Sequence, residues 1–226
     1  DSRPTEARAG GTALLRGSVA RAHSPPIPLL REFAMTTVLL SAPAVEPITL
    51  SEAKVHLRVD TNAEDTLIQS LIMASRLHIE AALDLALITQ TWRLHLDRWP
   101  RARSLNFPLS PVQSLAAVKV YDDADTCETL DNTAFILDGT ANPARLVLSG
   151  RTSLPIPGRT ANGIEIDFVA GYGDEPSDVP QTIRQALLLL VAHWYENREP
   201  VEIGTTTTTI PGTVSELLAP YRRRRI

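Results

Sequence analysis

The sequence predicts an α+β fold: a helical core, an antiparallel β insert between two N-terminal helices and a long C-terminal helix, and an extended C-terminal tail carrying a short helix. Three observations carry this prediction. Two segments of helical period with start signals occupy the region from Thr49 to Leu85. At Thr91 the period drops from 3.6 to 2, and short apolar runs then alternate with turn residues as far as Val169. After Pro180 the helical period returns in a segment dense in Leu and Ala.

Residues 1–34 hold five arginines and no lysine, with several Pro and Gly and no sustained period, and they read as a disordered or non-native extension. They are Arg-rich and acid-poor but lack a clear amphipathic repeat, and they have no apolar stretch of the kind that directs secretion. Met35 reads as the start of the folded part, a core over 35–200. After Met35, the stretch from Val38 to Pro47 reads as an extended arm broken by Pro43 and Pro47, so that two helices precede any strand.

The first helix is expected over 50–58. Thr49 and Glu52 have the spacing of a capping box, and Leu50, Ala53 and Leu57 share a face until Asp60–Asn62 breaks the run. The second is expected over 64–85. Asn62 and Asp65 supply its start signal, and Leu67, Ile68, Leu71, Ile72, Ile79 and Leu83 form one stripe.

The β insert spans 91–169. Trp92, Leu94 and Leu96 alternate with Arg93, His95 and Asp97, as a half-buried strand requires. Further strands are expected at 104–107, 115–121, 134–137, 145–148 and 163–169. Pro108–Pro111, Asp122–Asp125, Asp138–Asn142 and Pro155–Gly158 act as turns between them.

The long helix is expected over 180–196, with Asp178 capping it, Gln181 three residues on, and Pro180 in the first turn, where a missing N–H costs nothing. Ile183, Leu187, Leu190 and Trp194 mark one line along it. Ala186, Leu188, Leu189, Val191 and Ala192 close the circle, which predicts burial on every side. The apolar run stops at His193, short of the roughly 20 residues that a bilayer requires, so the helix reads as core and no membrane partner is expected. The tail, 201–226, begins with a polar link containing Thr205–Thr209. Thr213 and Glu216 then have the spacing of a second capping box, opening a short helix with Leu217 and Leu218, and Arg222, Arg223, Arg224 and Arg225 make a basic end.

A chain of 226 residues with 43% hydrophobic side chains can bury a core, and a net charge of -4 argues against wrapping DNA. The single cysteine, Cys127, excludes an internal disulfide and makes a structural zinc site improbable. Only Lys54 and Lys119 are lysines and neither follows a glycine run, so no P-loop is present. The five histidines show no paired metal spacing, and His193, in the apolar helix, reads as a core histidine. Asp122, Asp123 and Asp125 resemble half a calcium loop but lack its glycine and closing glutamate, and a hairpin turn is the better reading. A hydrolase would have only His95, Asp97 and the Asp122–Asp125 cluster to work with, without a visible pair of base and nucleophile. A nucleic-acid-binding module acting through Arg222–Arg225 is the main alternative to a protein whose work is contact.

One series of phrases carries a resemblance. It comprises Glu46-Pro47-Ile48-Thr49-Leu50-Ser51-Glu52-Ala53-Lys54, Leu57-Arg58-Val59-Asp60, Glu64-Asp65, Ile88-Thr89-Gln90-Thr91-Trp92, Phe168-Val169-Ala170-Gly171-Tyr172-Gly173, Val179-Pro180, Ala192-His193-Trp194-Tyr195-Glu196-Asn197-Arg198 and Leu217-Leu218-Ala219-Pro220-Tyr221-Arg222. In this order they resemble the head-to-tail connector (adaptor) proteins of long-tailed double-stranded DNA phages and phage-like gene transfer agents. The resemblance runs from about Val38 to Arg225; residues 1–34 have no counterpart in it. It implies a self-assembled ring, typically a dodecamer, below the portal protein. Such a ring passes genomic DNA without sequence specificity to a stopper or other tail-proximal connector. It further implies a place in the particle neck after assembly in the bacterial host cytoplasm, no catalysis and no cofactor. Leu217, Leu218, Tyr221, Arg222, Arg223, Arg224 and Arg225 would then dock the portal, and Leu187, Leu190, Trp194 and Tyr195 would pack within and between subunits.

Overall fold

The computed structural model describes residues 35–150, 153–197 and 211–222. The extension 1–34, the Thr205–Thr209 link and the three arginines Arg223–Arg225 lie outside the described residues. Helix α1, Leu50–Leu57, opens on a closed capping box. The Thr49 hydroxyl accepts from the Glu52 N–H at 3.2 Å, and the Glu52 carboxylate accepts from the Thr49 N–H at 2.8 Å. It stops at Arg58, two residues before the expected break, because Arg58 takes a left-handed conformation at φ 57. Helix α2, Asp65–Leu83, ends in the same way at Asp84, φ 54, and buries Ile68, Ile72, Ile79 and Leu83.

A strand precedes both helices, contrary to the reading of an extended arm. Strand β1, Met35–Ser41, runs antiparallel to β2, Gln90–Leu96, with Met35 opposite Leu96 and Leu39 opposite Trp92. Both faces of β1 are largely exposed, so no inside-outside alternation marked it in the sequence.

The remaining strands are β3 (Ser104–Asn106), β4 (Val112–Tyr121), β5 (Cys127–Leu130), β6 (Phe135–Asp138), β7 (Arg145–Leu148) and β8 (Ile164–Ala170). Five form one sheet in the order β1-β2-β8-β4-β5, and three form another in the order β3-β7-β6, with every strand pairing antiparallel. The fold is therefore mixed α+β. Strand β5 was not expected: Cys-Glu-Thr-Leu has no alternation, and it pairs with β4 through a hairpin that the Asp122 carboxylate ties, accepting from the N–H groups of Ala124 and Thr126 at 2.9 and 2.8 Å.

Helix α3, Gln181–Glu196, follows β8, and the short helix α4, Gly212–Leu218, follows α3. Asp178 does not cap α3. It closes a 3-10 turn over Pro176–Asp178, its carboxylate accepting from the Glu175 N–H at 2.9 Å, while Pro180 stands at the cap position without a side-chain bond. Nor is α3 covered on every side: Ile183, Ala186, Leu187, Leu190 and Val191 are buried, but Leu188, Leu189, Trp194 and Tyr195 are only partly so. The Thr213–Glu216 box does not form either, because α4 begins at Gly212 behind Pro211.

Two hydrophobic cores result. Among the described residues, one joins α1, α2, α3 and α4 through Ala53, Ile68, Ile72, Ile79, Ile183, Leu187, Leu190 and Val214, with Ile48 beside them. The other fills the space beside the sheets with Leu94, Leu96, Val118, Ile164, Ile166 and the Phe107–Phe168 ring pair, whose centroids are 4.8 Å apart. The segment Leu85–Ile88 is buried throughout and belongs to both: Ala86 faces the strands, while Leu85, Leu87 and Ile88 face the helices. Among the described residues no helix is long and apolar enough to cross a membrane.

Candidate assembly surfaces

Helix α4 lies on α3, with Val214 and Leu218 buried in the helical core and Leu217 half-buried against it. The Tyr221 hydroxyl is 2.7 Å from the Thr182 hydroxyl near the start of α3, and Arg222 is exposed. Of the residues expected to dock a partner, Leu218 is thus covered by its own chain. Leu217 and Tyr221 keep part of their surface open, and Arg222 is exposed. Tyr172 shares this corner, and burial pushes its phenol up to about 12, with Tyr221 adding to the effect.

Of the residues expected to pack within and between subunits, Leu187 and Leu190 are buried inside the helical core. Trp194 and Tyr195 sit at its rim. The Trp194 ring meets His78 edge to face at 5.8 Å, and the Tyr195 hydroxyl donates to the Glu64 carboxylate. His193 is half-buried rather than core. Beside α3, Arg184 ties α1 in place by donating to the Pro47 carbonyl at 3.2 Å and by pairing with Glu52. The Thr49 N–H bond first, and then Arg184, hold the Glu52 carboxyl below its usual range against the opposing pull of burial.

The face of the five-stranded sheet opposite its core carries a charge network. Antiparallel register sets Arg93 of β2 against Asp167 of β8 and sets Lys119 of β4 against Glu165 of β8. Arg93 grips both Asp167 oxygens, at 2.6 and 2.9 Å, and reaches Glu165 at 2.9 Å. Lys119 stands 3.8 Å from Asp167, and the Tyr121 hydroxyl donates to Glu165 at 3.2 Å. Burial pushes the Asp167 carboxyl up, but the Arg93 bond and the nearby cations outweigh it and leave the group below the usual aspartate range. The depressed group contributes stability that is present at neutral pH and is lost as pH falls through the acid range. In acid titration of unfolding free energy, Asp167→Asn is expected to be about 1–2 kcal/mol less stable than the natural chain at pH 7, the gap closing toward pH 3. A gap that stays constant across that range counts against this account.

This network sets two cations, Arg93 and Lys119, against two carboxylates, Glu165 and Asp167. Asp97, which a hydrolase would need near His95, accepts instead from the Asn162 N–H at 2.9 Å. Among the described residues no cluster of His, Cys, Asp and Glu could hold a metal ion.

A second buried network escaped the sequence reading. The Arg76 guanidinium donates to Glu46 and to Glu80, each at 2.8 Å, and the other Glu80 oxygen accepts from the Leu87 N–H at 2.9 Å and the Gln90 amide at 2.7 Å. The signal that could have revealed it is a charged pair, Arg76 and Glu80, one helical turn apart beside the apolar stripe of α2.

Residues 46–224 match the model of the head completion protein family. No curated protein matches the chain. Among solved structures it is similar to a chain of the virion of a native gene transfer agent particle, at 28% identity and a TM-score of 0.70, over 84% of this chain and 96% of that one. It is also similar to a chain of the neck of the empty particle computed with C6 symmetry, at 27% identity and a TM-score of 0.71, over 84% of this chain and 97% of that one. A third likeness, to a chain of the neck of the native particle computed with C12 symmetry, has 27% identity and a TM-score of 0.65 over 84% and 97%.

Proposed function

The chain belongs to the head completion protein family, and from that premise we propose that it is a structural connector in the neck of a phage or gene transfer agent particle. Copies form a ring below the portal and join the DNA-filled capsid to a stopper and tail, transforming no substrate. The observation that carries this reading is the near end-to-end likeness to chains of gene transfer agent particles, two of them from necks, 96–97% of whose length is matched.

The physical properties of the chain are in keeping with it. A ring uses heterologous contacts, one patch meeting a different patch on the neighbour, so each subunit needs two unlike surfaces with uncovered apolar area. Partly covered Leu188, Leu189, Trp194 and Tyr195 on α3 offer one such area, while Leu187 and Leu190 serve the subunit's own core. A body of net charge -4 suits a conduit through which genomic DNA must move, since a wall that gripped phosphates would hold the strand by counterion release. The portal-facing element in this reading is the open side of Leu217, Tyr221 and Arg222, continued in sequence by Arg223, Arg224 and Arg225. Leu218 keeps α4 seated on α3. Before assembly the subunit resides in the bacterial host cytoplasm.

Particle-producing cells lacking the protein, or carrying a chain ending at Tyr221, are expected to yield DNA-filled heads without tails when viewed by electron microscopy. Tailed particles in normal number without the protein would overturn the reading.

A further inference from the structure

We propose that the two open edges of the five-stranded sheet are the two halves of one seam, the β1 edge of one copy lying along the β5 edge of the next as a parallel pair. The proposal rests on the ring reading above and deepens it by naming a contact between neighbours.

Strand β1 is the starting observation. Met35–Ser41 contains no charged residue and no proline, and its outer row of N–H and C=O groups faces no other described strand. Met35, Val38, Leu39 and Leu40 are 46%, 44%, 42% and 46% exposed. By alternation these side chains fall on both faces, so the strand stands beyond the cover of the core on either side. Folded proteins guard a free edge with lysine, proline or a covering element, because an apolar bare edge templates pairing with another chain. This edge carries no such residue.

The opposite end of the same sheet supplies a matching edge. Strand β5, Cys127–Leu130, pairs with β4 on one side only and is largely exposed. One chain therefore presents two unlike edges, which is what a head-to-tail contact between copies requires and what a twofold dimer does not.

The strand count fixes the sense of the pairing. With five strands each antiparallel to its neighbour, β1 and β5 have the same polarity within the twisted sheet. In a sixfold or twelvefold ring, adjacent copies differ by a rotation of about 60° or 30°, far short of the reversal that an antiparallel seam would need. The seam is thus parallel. Its main-chain bonds add a sixth strand at that edge of the sheet, and it covers apolar side chains of β1.

Cys127 gives a direct test, because it is the only cysteine and it lies exposed on β5. Neighbouring strands lie about 4.8 Å apart, within the Cα spacing a disulfide spans. Single cysteines are placed in turn at Thr36, Thr37, Val38, Leu39 and Leu40 of the full chain, particles are purified and oxidised, and products are separated without reductant. The expected result is a ladder extending beyond the dimer at one or two of these positions, absent when Cys127→Ser is added. The proposal is overturned by no cross-link at any position although the protein is present in the neck, by a ladder that stops at the dimer, or by cross-links that form only after the residues before Met35 are removed. If the protein is missing from the neck of tailed particles, the ring reading itself fails, an outcome distinct from the others.

Discussion

Gly171→Ala is expected to lower the free energy of unfolding by about 3 kcal/mol or more, read as a lower urea midpoint with an unchanged slope. Gly171 follows β8 with φ 144, a conformation side chains rarely adopt, and a Cβ there would stand 2.6 Å from the Thr89 nitrogen and 2.7 Å from the Ile88 carbonyl carbon and oxygen. These are backbone atoms and cannot rotate aside. Moving them displaces the bond from the Tyr172 N–H to the Leu87 carbonyl, 3.2 Å, and the one from the Thr89 N–H to the Gly173 carbonyl, 2.9 Å. Gly150 is the natural control, with φ 54 and nothing within 4 Å of its Cβ position. Gly150→Ala is expected to cost only about 1 kcal/mol, the ordinary penalty of the left-handed region. Equal losses at the two sites would refute the steric account.

Glu80→Ala is expected to cost about 3–5 kcal/mol, the range for removing one partner of a buried ion pair. The substitution strips the Leu87 N–H and the Gln90 amide of their acceptor and leaves the buried Arg76 with Glu46 alone. Glu80→Gln keeps an acceptor oxygen and is expected to lose less. Because Arg76 and Glu80 share one network, the double substitution should fall well short of the summed single losses in a double-mutant cycle. Additive losses would show that the two residues act independently.

The parts of this fold that were legible in the sequence are those fixed by near neighbours. The Thr49–Glu52 box depends on a spacing of three residues, and the alternation of Trp92, Leu94 and Leu96 reports a strand with one covered face. The charge network on the sheet was visible only in part. Arg93 declared itself polar, but its partner Asp167 lies 74 residues away and is set by register. Strand β1 was hidden because neither of its faces is covered, and β5 because it is four residues held by a turn. Asp178 offered an equally good local signal for capping α3, and the 3-10 turn took the carboxylate first. In α3 the number of apolar residues exceeds what one subunit covers, and the sequence alone does not say whether the surplus meets its own chain or another. The residues proposed to face the portal stand in the sequence as an apolar pair before a basic run. That Leu218 points inward was not legible, since it depends on how α4 settles against α3.

Leu85–Ile88 has a mechanical consequence. A wall common to both cores means that neither half can slacken while the other holds, because loosening either exposes residues of the same four-residue segment. In the proposed connector, a pull at the strands is thereby felt at the helices as shear across a short, fully packed stretch, the loading geometry in which many weak contacts must yield together.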